Sequence, residues 1–310
     1  MATRFELVMY GGGAADLRAA GEEALQEIRR LEAQLSSYLP NSEVSRINRA
    51  ACRRPVPVSR RVFQLIQHAA ALSAHTQGAF DITVAPLMRC WGFVKGKGHW
   101  PDSAALSRAR TVTGMEHLVL HEKQGALSFR KAGMSIDLGG IGKGYAIDEA
   151  ALILRECGVN CALLHGGTST ITTIGAPPGA GSWRVALPVP GKLADHQAPP
   201  LAVVDLKDEA LSVSAPWGKA FEKDGQTCGH VIDPRTGFPA EGAEMAAVVH
   251  ESATTADALS TALLVTKPEA RARACQNFNK LRVLVAYGPK RVYADGITIH
   301  VPTQTIHHHV

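Results

Sequence analysis

From Ala14 to Leu35 the apolar residues Leu17, Ala20, Ala24, Ile28, Leu31 and Leu35 fall three or four positions apart. That spacing predicts one long amphipathic helix, which must cover a core with a single face. Ahead of it, Thr3–Tyr10 alternates like a strand and Gly11–Gly13 ends it. Ser37–Asn48 reads as a polar turn segment around Pro40, and a second helix is expected from Arg60 to Ala74. Short strands are expected at His117–His121, Ala126–Arg130 and Met134–Leu138, then a helix from Tyr145 to Cys157. Cys161–His165, Trp183–Leu187, Ala202–Leu206, Leu211–Ser214, His230–Ile232, Leu281–Tyr287 and Val292–Ala294 read as further strands. Helices are expected at Thr255–Val265 and Pro268–Phe278, and a flexible stretch at Pro188–Pro200. The elements mix without the regular alternation of a doubly wound sheet, so the expected class is α+β.

The net charge of +5 is carried by scattered Lys and Arg with no basic run, which gives no support to nucleic-acid binding. No apolar stretch approaches the roughly 20 residues of a membrane span, and Phe5–Met9 is too short for a secretory leader. The six cysteines form no CxxC pair, so free thiols in a reducing cytosol are expected; removal of a leader would make the setting periplasmic. The His307–His309 run reads as a tail without a catalytic part.

Three segments carry chemistry. Asp137-Leu138-Gly139-Gly140-Ile141-Gly142-Lys143-Gly144-Tyr145 fails the P-loop pattern, because Asp137 stands where its first glycine belongs and Gly144 follows the lysine. It also fails GxGxxG, since Gly142 is followed by Lys143, Gly144 and Tyr145. A strand, a glycine turn and a helix start remain, and backbone N–H groups beside a lysine suit an anion; a plain tight turn would use the same glycines. In His230-Val231-Ile232-Asp233-Pro234-Arg235-Thr236-Gly237, His230 can accept a proton near neutral pH and Arg235 can fork onto phosphate. A β-turn capped by Asp233 would explain the same residues. Asp257 and Thr261 lie one helical turn apart, so their oxygens can share a hard cation, although helix capping by Thr254, Thr255 and Asp257 is the plainer reading. No HExxH, zinc spacing or ordered Ser-His-Asp set is present.

In this order the segments resemble the ApbE family, the FAD:protein FMN transferases, over roughly Met1 to Tyr287. The resemblance also rests on Met1-Ala2-Thr3, on Ser36-Ser37-Tyr38 with Ser42–Asn48, and on Ala79-Phe80-Asp81 with Pro86-Leu87 and Trp91-Gly92-Phe93. Lys143-Gly144-Tyr145-Ala146, continuing into Asp148 and Glu149, matches the family's KGYA. It departs from the family at Ala2, at Gly166-Gly167-Thr168 and at Ser214-Ala215.

The resemblance implies one α+β domain over 1–310, with mixed and antiparallel sheets, flanking helices and a T-fold-like, two-lobed form holding FAD between the lobes. It implies that Met1, Tyr38, Ala79, Phe80, Asp81, Lys143, Glu149 and Val231 line the FAD site. Mg²⁺, or Mn²⁺, would be held by the carbonyl of Ala146 with Asp257, Ser260 and Thr261; His230 would be the base. The implied activity moves the FMN half of FAD onto a Thr or Ser of an acceptor flavoprotein and releases AMP. An Mg²⁺-dependent FAD pyrophosphatase using water, or a non-catalytic FAD-delivery protein, stays open on the same residues.

Overall fold

The computed structural model describes residues 3–94, 96–190, 199–216, 220–276, 278, 280–288, 291–300 and 304–305. Strand β1 (Phe5–Met9) leads into α1 (Ala14–Leu35), α2 (Glu43–Ala50), β2 (Val56–Pro57), α3 (Arg60–His75), α4 (Ala85–Cys90) and α5 (Ser103–Thr111). The hairpin β3 (Leu118–His121) and β4 (Ala126–Phe129) precedes α6 (Gly142–Glu156). Next come β5 (Ala162–Gly166), β6 (Thr170–Ile174), β7 (Trp183–Leu187), β8 (Ala202–Leu206) and β9 (Ala210–Ser214). Then β10 (Ala220–Lys223), β11 (Gln226–Gly229) and β12 (Met245–His250) run to α7 (Ala253–Val265). The chain continues through α8 (Arg271–Cys275), β13 (Arg282–Ala286), β14 (Arg291–Asp295) and β15 (Gln304–Thr305).

One eight-stranded sheet, in the order β1-β5-β6-β9-β12-β13-β14-β15, organises these elements. Its pairings are antiparallel except β14 with β15. Strand β12 shows why the sheet is buried on both faces. Met245, Ala247 and Val249 pack with Leu187, Val204 and Leu206 of the β7–β8 ribbon, while Ala246 and Val248 pack with Leu259 and Leu263 of α7. α7 therefore lies between the sheet and α6, and every one of its residues except Thr261 is buried. α1 covers α6 from outside with the stripe expected of it, Ala20, Ala24, Ile28, Leu31 and Leu35 all being buried.

The α+β class and most elements agree with the sequence reading, with several corrections. Ser42 accepts from Ser45 N at 2.9 Å and starts helix α2 inside the expected turn segment, its buried Val44 and Ile47 having too short a run to show a period. Met134–Leu138 joins no ladder: Ile136 exchanges both backbone bonds with the amide of Asn48, at 2.8 and 2.9 Å, and Asp137 N donates to Ile82 O. α6 begins at Gly142 rather than Tyr145, which places Lys143 and Gly144 in its first turn. His230–Ile232 makes only a bridge between Ile232 and Pro239. Pro268–Phe278 gives a 3₁₀ turn at Pro268–Ala270 and the short α8. The reading also passed over β6 and β12, because apolar or threonine-rich strands with both faces covered lack the in-and-out alternation that marks a half-exposed strand.

All six cysteines are free thiols. Among the described residues no helix is long and apolar enough to cross a membrane. Met1, the His307–His309 run and the middle of the expected flexible stretch, 191–198, lie outside the described residues.

Candidate functional site

The centre of the site is the crossing of α6 and α7. Gly144 in the first turn of α6 has a backbone N–H without a helical partner, and it donates to Asp257 Oδ2 at 3.0 Å. Lys143 Nζ lies 3.3 Å from Asp257 Oδ1, where Ser212 Oγ of β9 also approaches to 3.4 Å. The helix start thus receives an anion from within the chain, the carboxylate of Asp257. Asp257 is buried, and the lysine and the amide compensate its charge.

Only glycine permits this crossing. A Cβ at Gly144 would stand 2.2 Å from Ala253 O and 2.8 Å from Thr254 Cα, both backbone atoms that cannot swing aside. Gly144→Ala is expected to cost about 3 kcal/mol, the upper end of what overpacking normally costs, and to pull Asp257 away from Lys143. Thermal unfolding should show a fall of several degrees; an unchanged Tm would mean that the helices can separate freely.

A ring of hydroxyls surrounds Asp257. Ser260 Oγ donates to Asp257 O at 3.0 Å and lies 2.8 Å from Ser214 Oγ of β9. Thr261 Oγ1 donates to the same carbonyl at 3.1 Å and lies 3.3 Å from Ser214 Oγ. These donors are oxygens throughout, the hard type that Mg²⁺ or Mn²⁺ accepts. Among the described residues no three His, Cys, Asp or Glu side chains converge, so a cation here would take one carboxylate and fill its shell from hydroxyl, carbonyl, water and substrate oxygens.

Lys143, Asp257 and Thr261 face a cavity of about 980 Å³. Its walls include Ala79, Phe80, Asp81 and Phe93 on one side, Ile171, Leu211, Val213 and Met245 on the sheet, and Val185–Pro188 of the ribbon. Tyr38 also lines it and is more than half exposed, so its ring can meet a planar group; burial of the remainder, and then nearby Asp137, push its phenol up. Asp81 is buried in the wall and accepts from Thr83 N, Thr83 Oγ1 and Met115 N. Burial raises its carboxyl above the ordinary range despite those bonds. His230, the residue after β11, and Val231 line the cavity as well.

Nine of the residues picked from sequence therefore share one cavity: Tyr38, Ala79, Phe80, Asp81, Lys143, His230, Val231, Asp257 and Thr261. Three others do not reach its lining. Ser260 is fully buried behind Thr261 and Ala146 is fully buried within α6. Glu149 faces Arg61, 3.6 Å away, and burial raises its carboxyl. Arg235 is likewise committed elsewhere: it forks onto Asp233 at 2.9 and 2.8 Å and donates to Val265 O at 2.8 Å, tying its turn to the end of α7. The capped-turn reading of Asp233 thus holds beside the cavity placement of His230. Ser212 and Ser214 were missed as partners of the Asp257 group, since a serine on a strand carries no local signal. Thr168 and Ala215, at two of the three departures from the family pattern, both line the cavity.

The model of the ApbE family matches residues 1–285. The FAD:protein FMN transferase of Klebsiella pneumoniae is 33% identical over 258 residues, 82% of this chain and 72% of that protein. That of Vibrio cholerae is 31% identical over 278 residues, 88% of this chain and 80% of its own length. Among solved structures, the ApbE protein of Thermotoga maritima superposes with a TM-score of 0.81 at 26% identity, covering 96% of this chain and 97% of that one. The flavin transferase ApbE from Vibrio cholerae gives 0.80 at 28% identity, covering 96% and 94%.

Proposed function

The chain belongs to the ApbE family, and on that premise we propose that it is an FAD:protein FMN transferase that moves the FMN half of FAD to a Thr or Ser hydroxyl of an acceptor flavoprotein, releasing AMP. The observation that carries the reading is the joining, in one cavity, of the Lys143–Asp257–Thr261 group with His230. A pyrophosphate needs positive charge and hydrogen-bond donors, and an attacking hydroxyl needs a proton acceptor. The cavity supplies both, and a volume of about 980 Å³ accommodates a dinucleotide.

In this reading the acceptor oxygen bonds to the phosphorus of the FMN half. The bond from that phosphorus to the bridging oxygen breaks, AMP leaves with the electron pair, and the hydroxyl proton passes to His230. Lys143 offsets phosphate charge from the helix start, and Phe80, Ala79 and Tyr38 hold the flat ring system. Asp257 and Thr261, with Ser214 and Ser260 behind them and the carbonyl of Ala146 as the further donor carried over from the family, would hold Mg²⁺. When bound there, the ion would offset the charge that builds on the pyrophosphate.

The test is mass spectrometry of a protein carrying a Ser/Thr-Gly-Ala-Thr segment after incubation with this chain, FAD and Mg²⁺. A gain of one FMN phosphoester on that Thr, abolished by EDTA, supports the transferase. Free FMN and AMP without any gain would identify a pyrophosphatase instead. Intact FAD across a panel of such acceptors would leave a carrier.

A further inference from the structure

A side chain of α6 holds the first turn of α7 from outside. Asp148 Oδ1 accepts from Ala253 N at 2.8 Å; Oδ2 accepts from Ser252 Oγ at 2.9 Å, Thr254 N at 2.9 Å and Thr254 Oγ1 at 2.6 Å. Four donors thus converge on one carboxylate, although α7 already has its own N-cap in Ser252, whose Oγ accepts from Thr255 N at 3.2 Å. Asp148 stands one turn beyond Gly144, on the same face of α6. Asp257, which takes the Gly144 N–H, stands one turn beyond Ala253 on α7. The two helices are therefore joined at two levels, about 6 Å apart along the axis. The missing side chain of Gly144 sets how close they come, and the bonds to Asp148 set how far one can slide past the other.

We propose that Asp148 is a positioning residue of the flavin-transfer site, fixing the register of α7 on α6 and with it the Asp257 carboxylate against Lys143 and Gly144. Only an ionised carboxylate accepts at both oxygens; an amide would turn a donor toward one of these N–H or O–H groups. Asp148 acts through Asp257 and does not line the cavity.

The test uses the full chain and follows AMP released from FAD with Mg²⁺ and the acceptor, alongside FAD binding by flavin fluorescence and Tm. For Asp148→Asn, kcat should fall about 10–100-fold, the usual loss when the group that orients a ligand is removed, while FAD affinity changes little and Tm drops. Adding Ser252→Asp to that variant returns a carboxylate to α7's own N-cap, where it meets the Thr255 N–H and the helix dipole. Tm should then recover and kcat stay low. Recovery of kcat along with Tm, or an unchanged kcat in Asp148→Asn, overturns the proposal. Should Asp148→Asn fail to fold, Thr254→Val removes one of the four bonds at nearly constant volume; a several-fold fall in kcat supports the role and an unchanged kcat overturns it. The inference rests on Asp257 serving turnover, so Asp257→Asn is assayed beside these variants. Full activity there would sink the reading of the site itself, whereas an inactive Asp257→Asn with a fully active Asp148→Asn overturns the positioning role alone.

Discussion

Asp257→Asn is expected to lower turnover in the presence of Mg²⁺ by about 10²–10³-fold, the usual loss when one preorganised electrostatic group at a charged transition state is removed. The carboxylate takes Lys143 Nζ, Gly144 N and the Ser212 hydroxyl, while the Ser260 and Thr261 hydroxyls donate to the backbone carbonyl of the same residue. The amide removes the charge that a hard cation seeks, and turns N–H donors toward partners that are themselves donors. The fold should survive, because Lys143 keeps about a quarter of its side chain exposed and can turn to water. The check is a titration of AMP release against Mg²⁺ for both proteins. An unchanged Mg²⁺ dependence would remove Asp257 from the proposed metal site, whatever the fate of the activity.

His230→Ala is expected to lower transfer about 10²–10⁴-fold, the usual contribution of a positioned base, while FAD binding changes little. The separation follows from the geometry. In the proposed reading the Lys143–Asp257–Thr261 group at the α6–α7 crossing would face the phosphates and Tyr38 with Ala79–Asp81 the ring system, while His230 lies on the segment after β11. On that reading, removing the imidazole takes away one function and leaves the walls that would hold the dinucleotide. Flavin fluorescence for binding and mass gain on the acceptor for transfer read the two separately. Equal loss of both would make His230 a wall residue rather than the base.

Both variants fall on residues that the sequence marks, and the reason is local. Asp257 and Thr261 share a helix face because they are one turn apart, and the glycines around Lys143 mark a turn into a helix, whose start the sequence put at Tyr145 rather than Gly142. Side-chain chemistry and short spacing carried that much, as they carried the α+β class, the long stripe of α1 and the thiol state of the cysteines. The resemblance of the ordered motifs added the expectation of a shared cavity, and nine of the chosen residues do share one.

What the sequence left open depends on groups brought together from afar. Gly144 and Asp257 are 113 positions apart, Asn48 and Ile136 are 88 apart, and Asp148 meets α7 across 104 to 106. No window along the chain contains such a pair. The glycine that reads as a turn residue is required because another helix's backbone lies against it, and the arginine that reads as a phosphate fork is consumed by Asp233 and Val265 O. Local order and side-chain type therefore determined the elements and the chemistry available to this protein. The packing of α7 between sheet and helix decided which of those groups meet, because only burial of both its faces brings Ser212 of β9 and the start of α6 to one carboxylate.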